Sequence, residues 1–363
     1  MSLLKNKKRI FQNYIINKLE LITSKINQLS PAMILIVTGK KSYLQSPFLD
    51  VINNLKENYD VKVWRYSKLY PDFNEIKHFL EENSKNYDLI ISYGGGTVID
   101  VSKLISTAWN LNSFDEVFNR PSTKNSIYHL CIPTTFGSGS DSTSFAVIYK
   151  DGEKFSIESK SLIPNDVVLD PDYTLNLNGH VSYCSIMDSL CQSIESLWSI
   201  NNTPESSNFA IESISLISKC LNSLDSLSRS DRERLLKASS LSGKAINITK
   251  TTAPHAFSYY LTYNHSICHG QAVSIFFEKF IDLNFNSIKN SNRKALLDVL
   301  NIRDKKDFIL LFKKIKQQMG FDLDLKEIND LDVAKYSNSI NLERLKNNPV
   351  KINPKDIIYD SLY

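Results

Sequence analysis

Apolar and polar positions along the chain change their rhythm near residue 177. Before that point, short apolar runs alternate with amphipathic stretches. Residues 33–37 are an unbroken run, Met-Ile-Leu-Ile-Val, which predicts a strand buried on both faces that ends in a turn at Thr38-Gly39-Lys40-Lys41-Ser42. Ahead of it, 8–30 reads as a helix that Pro31 ends. Further helices are predicted from Ser46-Pro47 to about 57 and over 73–86, and further strands over 59–66, 87–93 and 128–131. Asp151-Gly152 marks a hairpin turn, and 164–171, bracketed by prolines, is a last strand. Beyond 177, amphipathic segments at 181–199, 204–226, 230–250, 270–288, 292–300, 304–319, 324–332 and 338–346 predict helices with few strand signals. The expectation is an α/β half with a parallel sheet, residues 1–177, followed by an all-α half, residues 178–363.

Composition narrows the function classes. A chain of 363 residues has room for two cores, and 42% hydrophobic with 23% charged residues is typical of soluble globular proteins. The net charge of +4 is spread thinly, and the lysine-rich pieces are interrupted by apolar residues at helical spacing. That pattern fits solvated helix faces and argues against nucleic-acid binding. The start lacks an apolar signal core and no window approaches a membrane span, so a cytoplasmic protein that does not meet a membrane is expected. Five cysteines, odd in number and without a C-x-x-C pair, read as reduced, small apolar residues.

Two loops carry candidate chemistry. The strand at 87–93 meets Gly94-Gly95-Gly96-Thr97, which feeds directly into a helix containing Asp100 and Lys103. Free N–H groups and the positive helix end there suit a phosphate or pyrophosphate, although three glycines also serve a tight turn against packed neighbours. The second loop, from Pro133 through Thr134, Thr135, Gly137, Ser138 and Asp141 to Thr143, offers hydroxyls and N–H groups without bulk, as expected beside a nucleotide. Downstream, three of the six histidines fall within 251–270. His255 and His269 are placed to face one cavity, and Asp188 and Gln192 stand one helical turn apart on one face. A carboxylate, two imidazoles and an amide could converge on a metal; taken alone, the histidines read better as a hydrogen-bonded core pair.

The order of these pieces resembles the iron-containing alcohol dehydrogenase family, whose fold is that of dehydroquinate synthase. Gly94-Gly-Gly-Thr-x-x-Asp100-x-x-Lys103 is similar to its G-G-G-S-x-x-D-x-x-K, and Pro133-Thr-Thr-Phe-Gly-Ser-Gly-Ser-Asp141-Ser-Thr143 to its P-T-T-x-G-T-G-S-E-x-T. The resemblance implies an oxidoreductase using NAD(P)H and a divalent metal, Fe2+ or Zn2+, in the cleft between the halves. On that reading Asp188, His255 and His269 bind the metal, with Gln192, where the family usually has a histidine, as a weak or outer member. Gly95, Gly96, Thr97 and Asp100 would hold the pyrophosphate, and Thr134, Thr135, Ser138, Thr143 and Lys154 the ribose and nicotinamide. Tyr259, where many members carry a further histidine, and Lys250 are the candidate catalytic residues, Lys250 being suited to an anionic substrate head. Gly39 stands where NAD-preferring relatives often carry an acid, so NADPH should be tolerated, with Lys40 and Lys41 available to its phosphate.

The stretches around 188–199 and 246–259 are similar to members that reduce phosphonoacetaldehyde to 2-hydroxyethylphosphonate, and a homodimer or larger homo-oligomer is expected. Competing readings are another alcohol or sugar-acid dehydrogenase, a lyase or cyclase like dehydroquinate synthase, and a nucleotide-binding protein that has lost catalysis. A synthase of that kind needs many basic residues around its substrate. Drift that lost catalysis would rarely spare Asp188, His255 and His269 together.

Overall fold

In the computed structural model, which describes residues 19–40, 43–44, 46–83, 87–109, 111, 113–118, 127–321 and 323–362, the apolar run at 33–37 lies inside a sheet covered on both faces. The chain first forms α1 (Leu19–Leu29), β1 (Met33–Gly39), α2 (Phe48–Asn58), β2 (Asp60–Tyr66), α3 (Phe73–Glu82), β3 (Leu89–Gly94), α4 (Gly96–Ala108) and β4 (Tyr128–Pro133). The antiparallel hairpin β5 (Phe145–Lys150) and β6 (Glu153–Glu158) follows, then β7 (Asp166–Val167). Residues 8–18 of the first expected helix, and Lys41, lie outside the described residues.

Period-two alternation explains why β1 is apolar throughout. Leu35 and Val37 enter one cluster with Val101 and Leu104 of α4, while Ile34 and Ile36 enter another with Val51 and Ile52 of α2. Burial of each such side chain contributes roughly 1.5–3 kcal/mol, so a polar residue on either face of β1 would be costly. The sheet order is β2-β1-β3-β4-β7, all parallel. The order reverses between β1 and β3. Their carboxyl ends, at Gly39 and Gly94, therefore open the crevice in which doubly wound sheets bind ligands.

The second half is helical: α5 (Gly179–Trp198), α6 (Pro204–Ser218), α7 (Arg229–Thr249), α8 (Ala253–His265), α9 (His269–Ser274), α10 (Phe277–Asn284), α11 (Asn290–Leu300), α12 (Lys305–Gln318), α13 (Val333–Ser339), α14 (Leu342–Lys346) and α15 (Pro354–Leu362). No helix among the described residues is long and apolar enough to cross a membrane. The halves meet backbone to backbone: a Cβ added at Gly139 would lie 2.4 Å from the Gly243 Cα, so the second glycine loop rests directly on α7.

Several expected elements are shorter. The strand at 164–171 reduces to Asp166–Val167, because Asp170 accepts from the Asp172 N–H and turns the chain into a 3-10 helix, Pro171–Thr174. The helix at 270–288 is two helices. α9 must begin against α5, whereas α10 turns Phe277, Phe280 and Ile281 into the helical core, and one straight helix cannot meet both demands. In place of helices filling 324–332 and 338–346 stand a 3-10 turn, Leu325–Glu327, and the short α14.

Candidate active site

α5 supplies the first ligand candidate. Its only acids are Asp188 and Glu195, seven residues apart and so on one face, and both are buried among apolar and serine side chains. α7 ends at Lys250, whose φ of 58° is disfavoured for a residue with a Cβ, and the chain turns at once into α8 with Pro254 in its first turn. His255 follows immediately. His269 is the first residue of α9, and Gly270 lets that helix start against α5: a Cβ there would stand 1.9 Å from the Cys184 carbonyl oxygen.

The candidate ligand atoms converge. His255 Nε2 lies 3.2 Å and His269 Nε2 3.9 Å from Asp188 Oδ1, and all three atoms fall within 4.8 Å of one another. Atoms bound at ~2.0–2.2 Å to one transition-metal ion stand about 3–3.5 Å apart, so these residues fit such an ion with small side-chain shifts. Two imidazoles and one carboxylate also suit iron or zinc better than magnesium or calcium. Gln192 Nε2 donates to Asp188 Oδ1 (3.0 Å), and its Oε1 accepts from Ser242 Oγ (3.1 Å). The amide thus steadies the carboxylate and turns no oxygen toward the cluster.

Glu195, which the sequence reading passed over, fixes His255. It is fully buried, accepts from Thr252 N (2.9 Å) and Oγ1 (2.8 Å), and pairs with His255 Nδ1. Trp198 Nε1 in turn donates to Thr252 Oγ1 at 2.9 Å. With its Nδ1 proton held by Glu195, His255 presents Nε2 to the cluster. The one sequence signal was the lone second acid of α5 on the Asp188 face.

Electrostatics follow the geometry. Burial would raise the Asp188 carboxyl, but His269, His255 and Gln192 outweigh it and leave it below the usual carboxylate range. Burial lowers His255, yet Glu195 and Asp188 overcome this and hold it up at about 9. His269 is pushed down to about 4 by burial, with Asp188 opposing and His255 and Lys154 adding to the shift. At neutral pH, then, only His255 must release a proton to act as a ligand. Divalent-ion affinity is expected to rise about tenfold per pH unit from pH 6 toward 9 and to level off above, because the proton bound below 9 competes with the ion. Competition titrations against a chelator at several pH values check this; a flat profile contradicts it.

A cavity of about 340 Å³ joins this cluster to the glycine turn. Gly95, Gly96, Thr97, Asp100, Thr135, Ser138 and Thr143 line one side, and Lys154, Asp188, Gln192, His255, Tyr259 and His269 the other. Gly39, Thr134 and Lys250 do not line it. Gly39 closes β1, Thr134 N donates to the Gly94 carbonyl, and Lys250 sits on a neighbouring cavity of about 810 Å³, its Nζ 2.5 Å from Glu158. Gly95, extended, precedes the first residue of α4 and has no side chain to cap it, so the first N–H groups of the helix are open to an anion. The glycines also make room for protein: a Cβ on Gly96 would stand 2.6 Å from Ser138 Oγ.

Asp100 and Thr143 are tied down by protein. Asp100 accepts from Ser140 Oγ and from Val147 N (2.9 Å), and the fully buried Lys103 donates to the Thr143 carbonyl (3.0 Å), Thr143 Oγ1 (2.9 Å) and the Phe145 carbonyl (2.9 Å). This network clamps the β5–β6 hairpin onto α4. Tyr259 forms a wall between two groups: Lys154 Nζ lies 3.1 Å from its ring centroid, and the His269 ring stacks 6.1 Å away on it. Burial raises the Tyr259 phenol, against the pull of the nearby Arg344. Burial and Arg344 lower the Lys154 ammonium to about 7, against Asp100 and Asp188.

One expectation is overturned beside the cluster. Cys184 and Cys268 are joined in a disulfide, with Cα atoms 6.3 Å apart, while Cys131, Cys191 and Cys220 are free and buried. The pairing spans 84 residues and arises because Gly270 seats α9 against α5.

Known proteins resemble this chain in sequence and in fold. Residues 7–171 match the family model for iron-containing alcohol dehydrogenase, and residues 183–360 the model for the C-terminal part of the Fe-containing alcohol dehydrogenase family. A phosphonoacetaldehyde reductase of Streptomyces viridochromogenes is 30% identical over 201 residues, 52% of this chain and 51% of that protein, so the match spans about half of that relative's length. A sulfoacetaldehyde reductase of Bilophila wadsworthia is 27% identical over 281 residues, 75% of this chain and 72% of that protein. Among solved structures, a sulfoacetaldehyde reductase of Bifidobacterium kashiwanohense in complex with NAD+ superposes with a TM-score of 0.84 at 24% identity, covering 96% of each chain, which speaks for the fold. Two family models that together take in nearly the whole chain, over a sheet and helix arrangement shared with such structures, establish that the chain belongs to the iron-containing alcohol dehydrogenase family.

Proposed function

We propose that this protein reduces a small aldehyde to its alcohol with NAD(P)H and a divalent metal, residues 1–177 binding the cofactor and 178–363 the metal and substrate, and that phosphonoacetaldehyde, reduced to 2-hydroxyethylphosphonate, is its substrate. The observation that carries the reading is the single cavity in which Asp188, His255 and His269 face an uncapped glycine turn. The named activities of the relatives add support: phosphonoacetaldehyde reductase, sulfoacetaldehyde reductase and 4-hydroxybutyrate dehydrogenase. Of the chain's arginines only Arg344 lines either cavity among the described residues.

On this reading Asp188 Oδ1, His255 Nε2 and His269 Nε2 would hold Fe2+ or Zn2+. Once bound, the ion supplies Lewis-acid polarisation of the carbonyl and the nicotinamide supplies the hydride. The protein's own groups do the rest. N–H groups at Gly95 and Gly96 receive the pyrophosphate, Thr135 and Ser138 offer hydroxyls toward the nicotinamide end, and Glu195 holds the His255 Nδ1 proton. Lys154 stays beside the cofactor, and its Nζ, brought to about 7, is matched at neutral pH to give a proton to the alkoxide oxygen. The test is absorbance of NADH and NADPH with iron-reconstituted protein and phosphonoacetaldehyde, sulfoacetaldehyde or propanal. Phosphonoacetaldehyde should be turned over most efficiently; oxidation of neither cofactor by any aldehyde would refute the reading.

Cofactor choice is proposed to depend on Gly39, at the carboxyl end of β1 beside the sheet's switch point, where no carboxylate opposes a 2′-phosphate and Lys40 is exposed. Gly39→Asp is expected to lower the NADPH/NADH ratio of kcat/KM by about tenfold or more. A ratio that stays put would show that residue 39 does not face the ribose.

A further inference from the structure

Two cationic side chains near the candidate metal cluster form no close ion pair among the described residues. Among the described residues, neither Arg344 nor Lys154 has a carboxylate oxygen within 4.0 Å, whereas Lys150 is paired with Asp115 and Lys250 with Glu158. Arg344 and Lys154 line both the 340 Å³ cavity and the 810 Å³ cavity, and so stand at their junction. Two cationic side chains that line one cleft, each without an ion pair of its own, favour the entry of an anion there.

Arg344 is also held in place. Asn341 Oδ1 accepts from Arg344 N (2.9 Å) to start α14, and Asn347 just beyond that helix donates to the Thr251 carbonyl (3.2 Å), four residues before His255. The Arg344 guanidinium carbon lies 5.7 Å from the Phe145 ring centroid, with Lys250 Nζ 4.6 Å from the same ring, so the hairpin braces both cations. Asn341 leaves its amide nitrogen without a protein acceptor among the described residues and lines both cavities.

We propose that Arg344 is the specificity-determining residue of this enzyme, binding the tetrahedral anionic head, phosphonate or sulfonate, of a short aldehyde whose carbonyl faces Asp188, His255 and His269. This names the substrate-selecting group of the function proposed above and rests on that reading. The span supports a short molecule: Arg344 and Tyr259 line the same cavity, and the Tyr259 ring is 6.1 Å from that of His269. A guanidinium fork grips two oxygens of such a head at once and a neutral aldehyde offers it none. Lys250, the anion partner expected from sequence, already spends its charge on Glu158.

The experiment compares kcat/KM for phosphonoacetaldehyde, sulfoacetaldehyde and propanal in the iron-loaded full chain, wild type, Arg344→Gln and Arg344→Lys, with calorimetric binding of 2-hydroxyethylphosphonate in parallel. The expected result is a fall of the charged-to-neutral ratio by on the order of 100-fold in Arg344→Gln, carried by KM, with partial recovery in Arg344→Lys, which keeps the charge and loses the fork. Whichever of the two charged aldehydes is preferred identifies the head. A ratio within threefold of wild type, a wild type that prefers propanal, or an effect on the KM of the nicotinamide cofactor in place of the aldehyde overturns the proposal. If wild type reduces no aldehyde, the reaction fails but the anion site is still decided: Arg344-dependent binding of 2-hydroxyethylphosphonate upholds it, and absence of binding, or binding indifferent to Arg344, rejects it.

Discussion

His269→Ala is expected to fold as well as the wild type and to lose most of its bound metal together with activity, kcat/KM falling by roughly 10²–10³ or more. His269 is half-exposed at the start of α9, and its nearest recorded partners are Asp188 at 3.9 Å and the rings of His255 and Tyr259 at 5.4 and 6.1 Å. Removing it leaves no large cavity, and the buried Asp188 carboxylate keeps His255 and Gln192 as partners, so stability should change little. What it removes is one of three converging donors, and the remaining pair binds a divalent ion far more weakly. Circular dichroism and thermal melting establish folding, elemental analysis gives the metal, and steady-state rates the activity. An alanine variant with wild-type metal content and wild-type rates would show that the cluster is a buried polar network and nothing more.

Glu195→Gln should be nearly as damaging for a different reason. The carboxylate receives the His255 Nδ1 proton and two donors from Thr252. A carboxamide of the same shape can still accept from Thr252, but it turns an N–H toward Nδ1 and so favours the imidazole tautomer with its proton on Nε2. That proton then occupies the direction in which His255 would bind the ion. Losing such an outer partner typically costs 10–100-fold in affinity, and the tautomer reversal puts this case at about 100-fold. The same substitution removes the main charge that holds His255 up at about 9, so the pH dependence of metal uptake should shift to lower pH. Chelator competition measures both. If affinity and pH profile are those of the wild type, Glu195 does not orient His255.

Legibility in the sequence divided along the range of the interaction involved. Residues 33–37 announced a strand covered on both faces because parallel-sheet strands alternate their side chains into two cores, a local pattern. Gly94 to Gly96 announced a strand-to-helix turn, and a Cβ on Gly94 would stand 2.7 Å from Val98 in the first turn of α4. Spacing allowed Asp188, His255 and His269 to converge, but only their match to a family motif set the metal reading above a hydrogen-bonded core pair. Pairings that depend on docking of distant segments were out of reach. Glu195 meets His255 only because α8 starts over α5, and Cys184 meets Cys268, 84 residues on, only because Gly270 allows a close backbone contact with Cys184. Nothing local set Arg344 apart in the sequence, and its place is set by where α14 is tied to Thr251. The break between α9 and α10 had no local breaker, since no proline or glycine interrupts 271–288. It follows from where each half must pack.

The most direct test is the metal-dependence of a single protein preparation. The wild-type chain is stripped with a chelator, reloaded with Fe2+ or Zn2+ to measured stoichiometry, and assayed at each step with NADH or NADPH and phosphonoacetaldehyde. The account predicts about one ion per chain in the reloaded protein, negligible turnover in the stripped form, and recovery in proportion to the ion restored, with none of this in Asp188→Ala. Full turnover in stripped protein, or an ion retained at wild-type stoichiometry in Asp188→Ala, would contradict it.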